Sequence, residues 1–201
     1  MTTKRLLTTA VVTFMLTGCC GGAAKIGGKD GAAQAVHALS APTQSAAKRA
    51  SGGVLMTDIS GDCAKGGTAK LSNFAQTVDV SGGVSFTQTF TMTLTNCGLA
   101  SSSQGDALYN GTVEVSQKVI TDASGVKVEQ HFKGAVSLAG AFSDTLDTDV
   151  TESVTLTDLG KSGSVSILLK GTVTTSTSSY TFDESVNVTG GTIAVDVAGS
   201  K

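Results

Sequence analysis

Five polar side chains stand where the pattern of this chain calls for apolar ones. Gln88, Gln117, Gln130, Glu152 and Glu184 each interrupt a two-residue alternation at a position that should face inward. An amide or carboxylate buried there without a partner costs several kcal/mol. The five therefore either pair with one another or line a wet cavity or groove, unless bulges turn them outward. They are the candidates for a binding surface. Catalytic arrangements are harder to assemble. His37 falls in an Ala/Gly-rich stretch and His131 on a polar strand face between Glu129 and Lys133. Neither has a serine or cysteine set by a strand-to-helix turn, and two scattered histidines are too few for a zinc site. Gly160-Lys161-Ser162 ends like a phosphate loop, but Thr155 stands where its first glycine belongs and no helical pattern follows. Asp144, Asp147, Asp149 and Glu152 make an acidic run without calcium-loop spacing, which reads as a solvated face that discourages edge pairing. No metal, cofactor or catalytic residue is expected.

The elements that must carry these residues are strands. Val84, Phe86, Phe90, Met92 and Leu94 alternate with serine and threonine, Val113, Val115 and Val119 with Thr112, Glu114 and Lys118, and Val126, Val128, Phe132, Val136 and Leu138 with Lys127, Glu129 and Lys133. Val165, Ile167, Leu169 and Val173 follow, then Tyr180, Phe182, Val186 and Val188, then Ile193, Val195 and Val197. Turn signals separate them at Ser81-Gly82-Gly83, Ala123-Ser124-Gly125, Gly160 to Gly163, Ser176 to Ser179 and Gly190-Gly191. One apolar and one wet face, joined by short turns, describe an antiparallel sheet. The expected fold class is all-β: a curved antiparallel meander sheet or half-closed barrel of about 8–10 strands. Gly111, Gly134 and Gly171 each fall in an apolar stripe two residues before a valine. Glycine weakens a strand unless the backbone bends or is approached closely, so these three mark kinks in a sheet curved around something.

The start of the chain is built differently. Lys4-Arg5 precede the apolar run Leu6 to Leu16, which is too short and too interrupted by threonine to span a membrane. Leu16-Thr17-Gly18-Cys19 follows. This order resembles the signal and lipobox of bacterial lipoproteins. The resemblance implies cleavage before Cys19, a lipid on its thiol, and a mature chain held in the cell envelope. Residue 20 is Cys rather than the Asp that retains enteric lipoproteins in the inner membrane, which points to the outer membrane, with the domain facing the periplasm or the surface. Export in turn implies that Cys63 and Cys97 pair, since disulfides persist outside the cytosol. Such a bridge is worth about 3–4 kcal/mol in the chain-entropy model. Cys20 has no assigned role.

The resulting division is a signal peptide at 1–18, a lipidated tether at 19–52 that is helical in part or disordered, and an antiparallel β-domain at 53–201. In the tether, Asp30 is the expected cap of a short helix through Ala32, Ala35, Val36, Ala38 and Leu39, ended by Pro42. The tether is basic, with Lys25, Lys29, Lys48 and Arg49 against Asp30, and the domain is acidic and lacks arginine. That balance disfavours nucleic acid as a partner. The expected function is a membrane-anchored envelope lipoprotein with a non-catalytic binding or structural domain, partnered by an envelope protein or an apolar small molecule. The alternatives are a carrier that shelters an apolar ligand in a concave sheet, and a transmembrane β-barrel.

Overall fold

Among the described residues the alternating stripes form nine antiparallel strands in one sheet, each strand paired with its neighbours in sequence. The computed structural model describes residues 24–43, 58–80, 84–99, 106–122, 125–157, 164–189 and 192–195. Cys19 and Cys20 lie outside them. The strands are β1 (Asp58–Asp62), β2 (Thr68–Asp79), β3 (Val84–Leu99), β4 (Ala107–Asp122), β5 (Gly125–Gly140), β6 (Asp144–Thr157), β7 (Ser164–Thr175), β8 (Ser179–Thr189) and β9 (Thr192–Val195). The sheet is open: β1 and β9 are its edges, and the meander does not close into a barrel.

Among the described residues one helix, α1 (Gly28–Ala38), packs on the inner face of this sheet, touching β6, β7 and β9. Alanine makes it a good helix former, but eleven residues are too few to hold a helix in water alone. Burial of Ala32, Ala33, Ala35, Val36, Ala38 and Leu39 against the strands supplies the rest. The cap differs from expectation. Gly27 holds the N-cap position with no side-chain hydrogen bond, and Asp30 sits inside the first turn, where a carboxylate meets the positive end of the helix dipole. The helix ends before Pro42, and residues 40–43 turn helically again. The chain is stapled ahead of α1, where Ala24 bridges Phe142 and the Ile26 amide donates to Asp144 Oδ2 at 2.9 Å.

The core lies between α1 and the strands. Tyr109, Val113, Phe132, Leu146, Val150 and Val173 are fully buried on the inner face. Tyr109 reaches the helix itself, donating its hydroxyl to the Ala35 carbonyl at 3.2 Å; burial pushes its phenol far above the usual value. The kink glycines have a physical reason. Gly134 has φ +143° and a Cβ there would stand 2.6 Å from the Thr112 carbonyl oxygen, while a Cβ on Gly171, at φ +132°, would overlap the carbonyl of Asp149. Two bulges bend the first strands, with Asn73 and Asn96 at positive φ. The second bulge reverses the alternation of β3, so that Cys97 and Leu99 turn inward after Leu94. Cys97 then bonds Cys63 across a Cα–Cα distance of 5.4 Å.

Candidate binding face

The five interrupting residues fall into one line. Cross-strand pairing joins Gln76 to Gln88, Gln88 to Gln117, Gln117 to Gln130, Gln130 to Glu152, Glu152 to Leu169, and Leu169 to Glu184. A single polar row, broken once by Leu169, thus crosses the inner face from β2 to β8. Gln76 belongs to it in addition to the expected five. The five do not all pair with one another, and they are not turned outward by bulges.

The N-terminal segment satisfies half of the row. Lys29 Nζ lies 2.6 Å from Glu184 Oε1 and 5.1 Å from the Phe182 ring centroid. His37 Nδ1 lies 2.7 Å from Glu152 Oε1. Gln130 Nε2 donates to Thr43 Oγ1 at 2.8 Å, and that hydroxyl donates to the Ser40 carbonyl. The spacing matches. Lys29 and His37 are separated by about 12 Å of helix rise, and Glu184 and Glu152 by two strand spacings of about 4.8 Å each. The helix therefore runs across the strands and meets one polar group after another. Lys29, His37 and Thr43 thus meet the polar row of the sheet, which nothing in their own sequence pattern announces.

The Glu152 side chain is 2 % exposed, and its Oε2 has no hydrogen-bond partner; neither does Glu184 Oε2. The hydrogen bond with Glu152 holds the His37 imidazole above its ordinary value of 6.5, against the opposing effect of burial. The acidic run is therefore not one solvated face. Asp147 and Asp149 point outward and are exposed, but Asp144 and Glu152 point inward and are buried. Asp144 accepts hydrogen bonds from the amides of Ile26, Thr145 and Ser176 at 2.8–2.9 Å. Burial alone would raise its carboxyl, but these bonds, Ser176 foremost, lower it to about 2.

Past Gln130 no described residue of the N-terminal segment is hydrogen-bonded to the row. Gln117 and Gln88 are half-buried and make no side-chain hydrogen bond among the described residues. Next to them lies an apolar row, also in register: Val78, Phe86, Val119, Val128, Val154, Ile167 and Val186. Ile167 and Val186, near α1, are buried, whereas Phe86, Val119, Val128 and Val154 are half-buried and Val78 is 59 % exposed.

The outer face offers less. His131 Nε2 is 2.7 Å from Asp149 Oδ1 and Lys133 Nζ is 3.1 Å from Oδ2; these two partners, His131 first, lower the Asp149 carboxyl. They edge a shallow hollow of about 300 Å³ that Asn73, Thr89, Glu114 and Ser116 also line. A second cavity, of about 80 Å³, sits beside Cys63 among Pro42, Ile59, Ala69, Leu71 and Leu99. Among the described residues no three metal-ligating side chains come together. Comparisons of the chain with protein families, with curated proteins and with solved structures found no match.

Proposed function

We propose that the protein is an envelope lipoprotein, lipidated on Cys19, whose β-domain is a non-catalytic binding module for an apolar ligand. The observation that carries the binding reading is the half-finished inner face. α1 fills one part of it, and beside that part an apolar row in continuous register stays partly open to solvent. Exposed apolar surface of this kind, rimmed by polar groups, is characteristic of a ligand groove. A purely structural domain of this size would gain by covering it. The open order of the strands supports this reading over a membrane-spanning barrel, which must close to satisfy its edges. The outer membrane is the proposed destination, because Leu16-Thr17-Gly18-Cys19 supplies the anchor and Cys20 supplies no retention aspartate.

Two measurements test the two parts. Cells expressing the chain and fed an alkyne-bearing palmitate should label it, and Cys19→Ala should remove the label; unlabelled wild-type chain removes the anchor from the proposal. For binding, 1-N-phenylnaphthylamine should brighten in the presence of the full chain in phosphatidylcholine vesicles beyond its brightness in vesicles alone. Val119→Glu, which puts a charge in the middle of the apolar row, should abolish that gain. A gain that Val119→Glu leaves intact places the ligand elsewhere.

A further inference from the structure

The N-terminal segment is tied to one end of the sheet. Ala24 bridges Phe142 in the β5–β6 turn, the Ser143 amide donates to the Ala24 carbonyl at 3.0 Å, and the Ile26 amide donates to Asp144 Oδ2 at 2.9 Å. Asp144 also accepts from the Ser176 amide at 2.9 Å, which draws the β7–β8 turn to the same place. Ile26 and Phe142 are buried, so the attachment is packed as well as hydrogen-bonded. Cys19 precedes Ala24 by five residues. Fully extended, such a link spans at most about 18 Å. The strands are much longer: from Ala107 at this end, β4 runs about 50 Å to Asp122. We infer that the end of the sheet formed by the β5–β6 and β7–β8 turns is the surface this protein presents to the bilayer, held there by the short link to a lipid on Cys19. The inference rests on the lipoprotein reading above and adds the orientation of the domain on its membrane.

Reach excludes the inverted arrangement. With the β4–β5 turn on the lipid, Ala24 would stand about 50 Å from the surface, far beyond what the link can span. Charge opposes a chain laid on its outer face, because Glu114 and Asp147 project from that face, exposed, and an anionic leaflet repels them. The proposed end has no such conflict. Lys25 and Lys65 offset Asp62 and Asp106 there, Asp144 is buried among amides, and the β7–β8 turn of Ser176, Thr177 and Ser178 is exposed and uncharged. Hydroxyls of this kind suit phosphate and ester oxygens, and Lys25, exposed next to the link, suits anionic headgroups. The exposed large apolar side chains among the described residues, Val78, Val80, Val84 and Leu168, lie elsewhere, so this end meets headgroups without entering the acyl layer. The apolar row at Val119 and Val128 then stands about 40 Å along the strands from the lipid-facing end.

The test uses the full chain as cells export it, with Cys20→Ser to limit labelling, added from detergent to vesicles of phosphatidylcholine and phosphatidylglycerol that carry a rhodamine acceptor on a lipid headgroup. A donor dye is attached at Thr177→Cys in the β7–β8 turn, at Thr121→Cys on the inner face near the other end, or at Lys118→Cys on the outer face. Energy transfer to the lipid should be strong from Thr177→Cys and about threefold lower from the other two, as a separation of about 40 Å along the strands requires. Lengthening the link after Gly22 by about twenty Gly and Ser residues, which adds about 25 Å of reach, should lower the transfer from Thr177→Cys. The circular dichroism of the sheet checks that each labelled variant is folded. Transfer from Thr121→Cys or Lys118→Cys as strong as from Thr177→Cys lays the chain on a face, which overturns the orientation and leaves the anchor standing. Transfer from Thr177→Cys that the longer link leaves unchanged overturns the link as what holds that end. A chain that floats with the vesicles no better than its Cys19→Ala variant overturns the anchor reading and the surface with it.

Discussion

The two halves of the inner face share one sheet, one register and one alternation, and differ in what completes them. Under α1 the apolar residues are buried outright, and Lys29, His37 and Thr43 meet the polar row. Past Gln130, towards β2, the same kinds of residue, valine, phenylalanine and glutamine, are half-buried or exposed. Strand pattern therefore fixes which side a residue faces, while burial is fixed by the partner laid across the strands. The covered half should carry the stability of the fold and the open half should carry its binding.

Alanine at two phenylalanines probes that division most directly. Phe132, fully buried on the inner face, should cost about 3–5 kcal/mol when truncated. Phe86, half-buried in the open half, should cost about 1 kcal/mol, because much of its ring is already wet. Urea unfolding of the two variants reads the difference, and equal costs would erase the distinction between the halves. The disulfide ties the covered end of β3 to the segment after β1, so replacing Cys63 and Cys97 together by alanine should cost about 3–4 kcal/mol, measured the same way.

A smaller effect is expected at Asp144, which joins the start of the N-terminal segment to the β7–β8 turn through the amides of Ile26 and Ser176. Its carboxyl is lowered from 3.8 to about 2 in the fold. The stabilisation is present above 3.8, amounts to about 2 kcal/mol, and is lost as pH falls through about 2. Asp144→Asn should be less stable than wild type by about that amount at pH 6, and the gap should close on acidification towards pH 2. A gap that persists unchanged at pH 2 would mean that the hydrogen bonds, not the charge, hold the helix start.

Much of this architecture is legible in the residues alone. The inward stripes, the turns and the class of sheet follow from alternation, and so does the inward direction of Gln88, Gln117, Gln130, Glu152 and Glu184. Their alignment is also available in principle. Gln117 and Gln130 stand equally far from the β4–β5 turn between Asp122 and Gly125, and an antiparallel hairpin without a bulge must then set them opposite each other. Three things are not legible. The bulge at Asn96 reverses the alternation of β3 and brings in Cys97 and Leu99, and no local turn signal announces it beyond the asparagine. The roles of Lys29, His37 and Thr43 depend on where a short helix docks, which is a long-range packing outcome that a thin alanine stripe does not specify. Asp144 is hidden for the same reason: an acidic run looks solvated until amides from two distant segments converge on one member of it.

The smallest effect, and the one that reports on the helix alone, concerns His37. The groups that bear on it are Glu152 on β6, with Lys29 on α1 already engaged by Glu184 on β8, and the neutral pair Gln130–Thr43. The hydrogen bond to Glu152 raises the imidazole above 6.5 in the fold, so this contribution is complete below pH 6.5 and is lost as pH rises through the raised value. The His37 side chain is about a third exposed, which limits the contribution to about 1 kcal/mol. The wild-type chain should therefore lose about that much stability between pH 6 and pH 9 relative to Glu152→Gln, in which the imidazole has no carboxylate to meet. The cost of Phe86→Ala should not change over the same range, because no titrating group of the polar row lies in the open half. If Glu152→Gln shows the same pH slope as wild type, another group titrates and the helix is held by its alanines. If the cost of Phe86→Ala moves with pH, the two halves are coupled and the open face responds to the state of the helix.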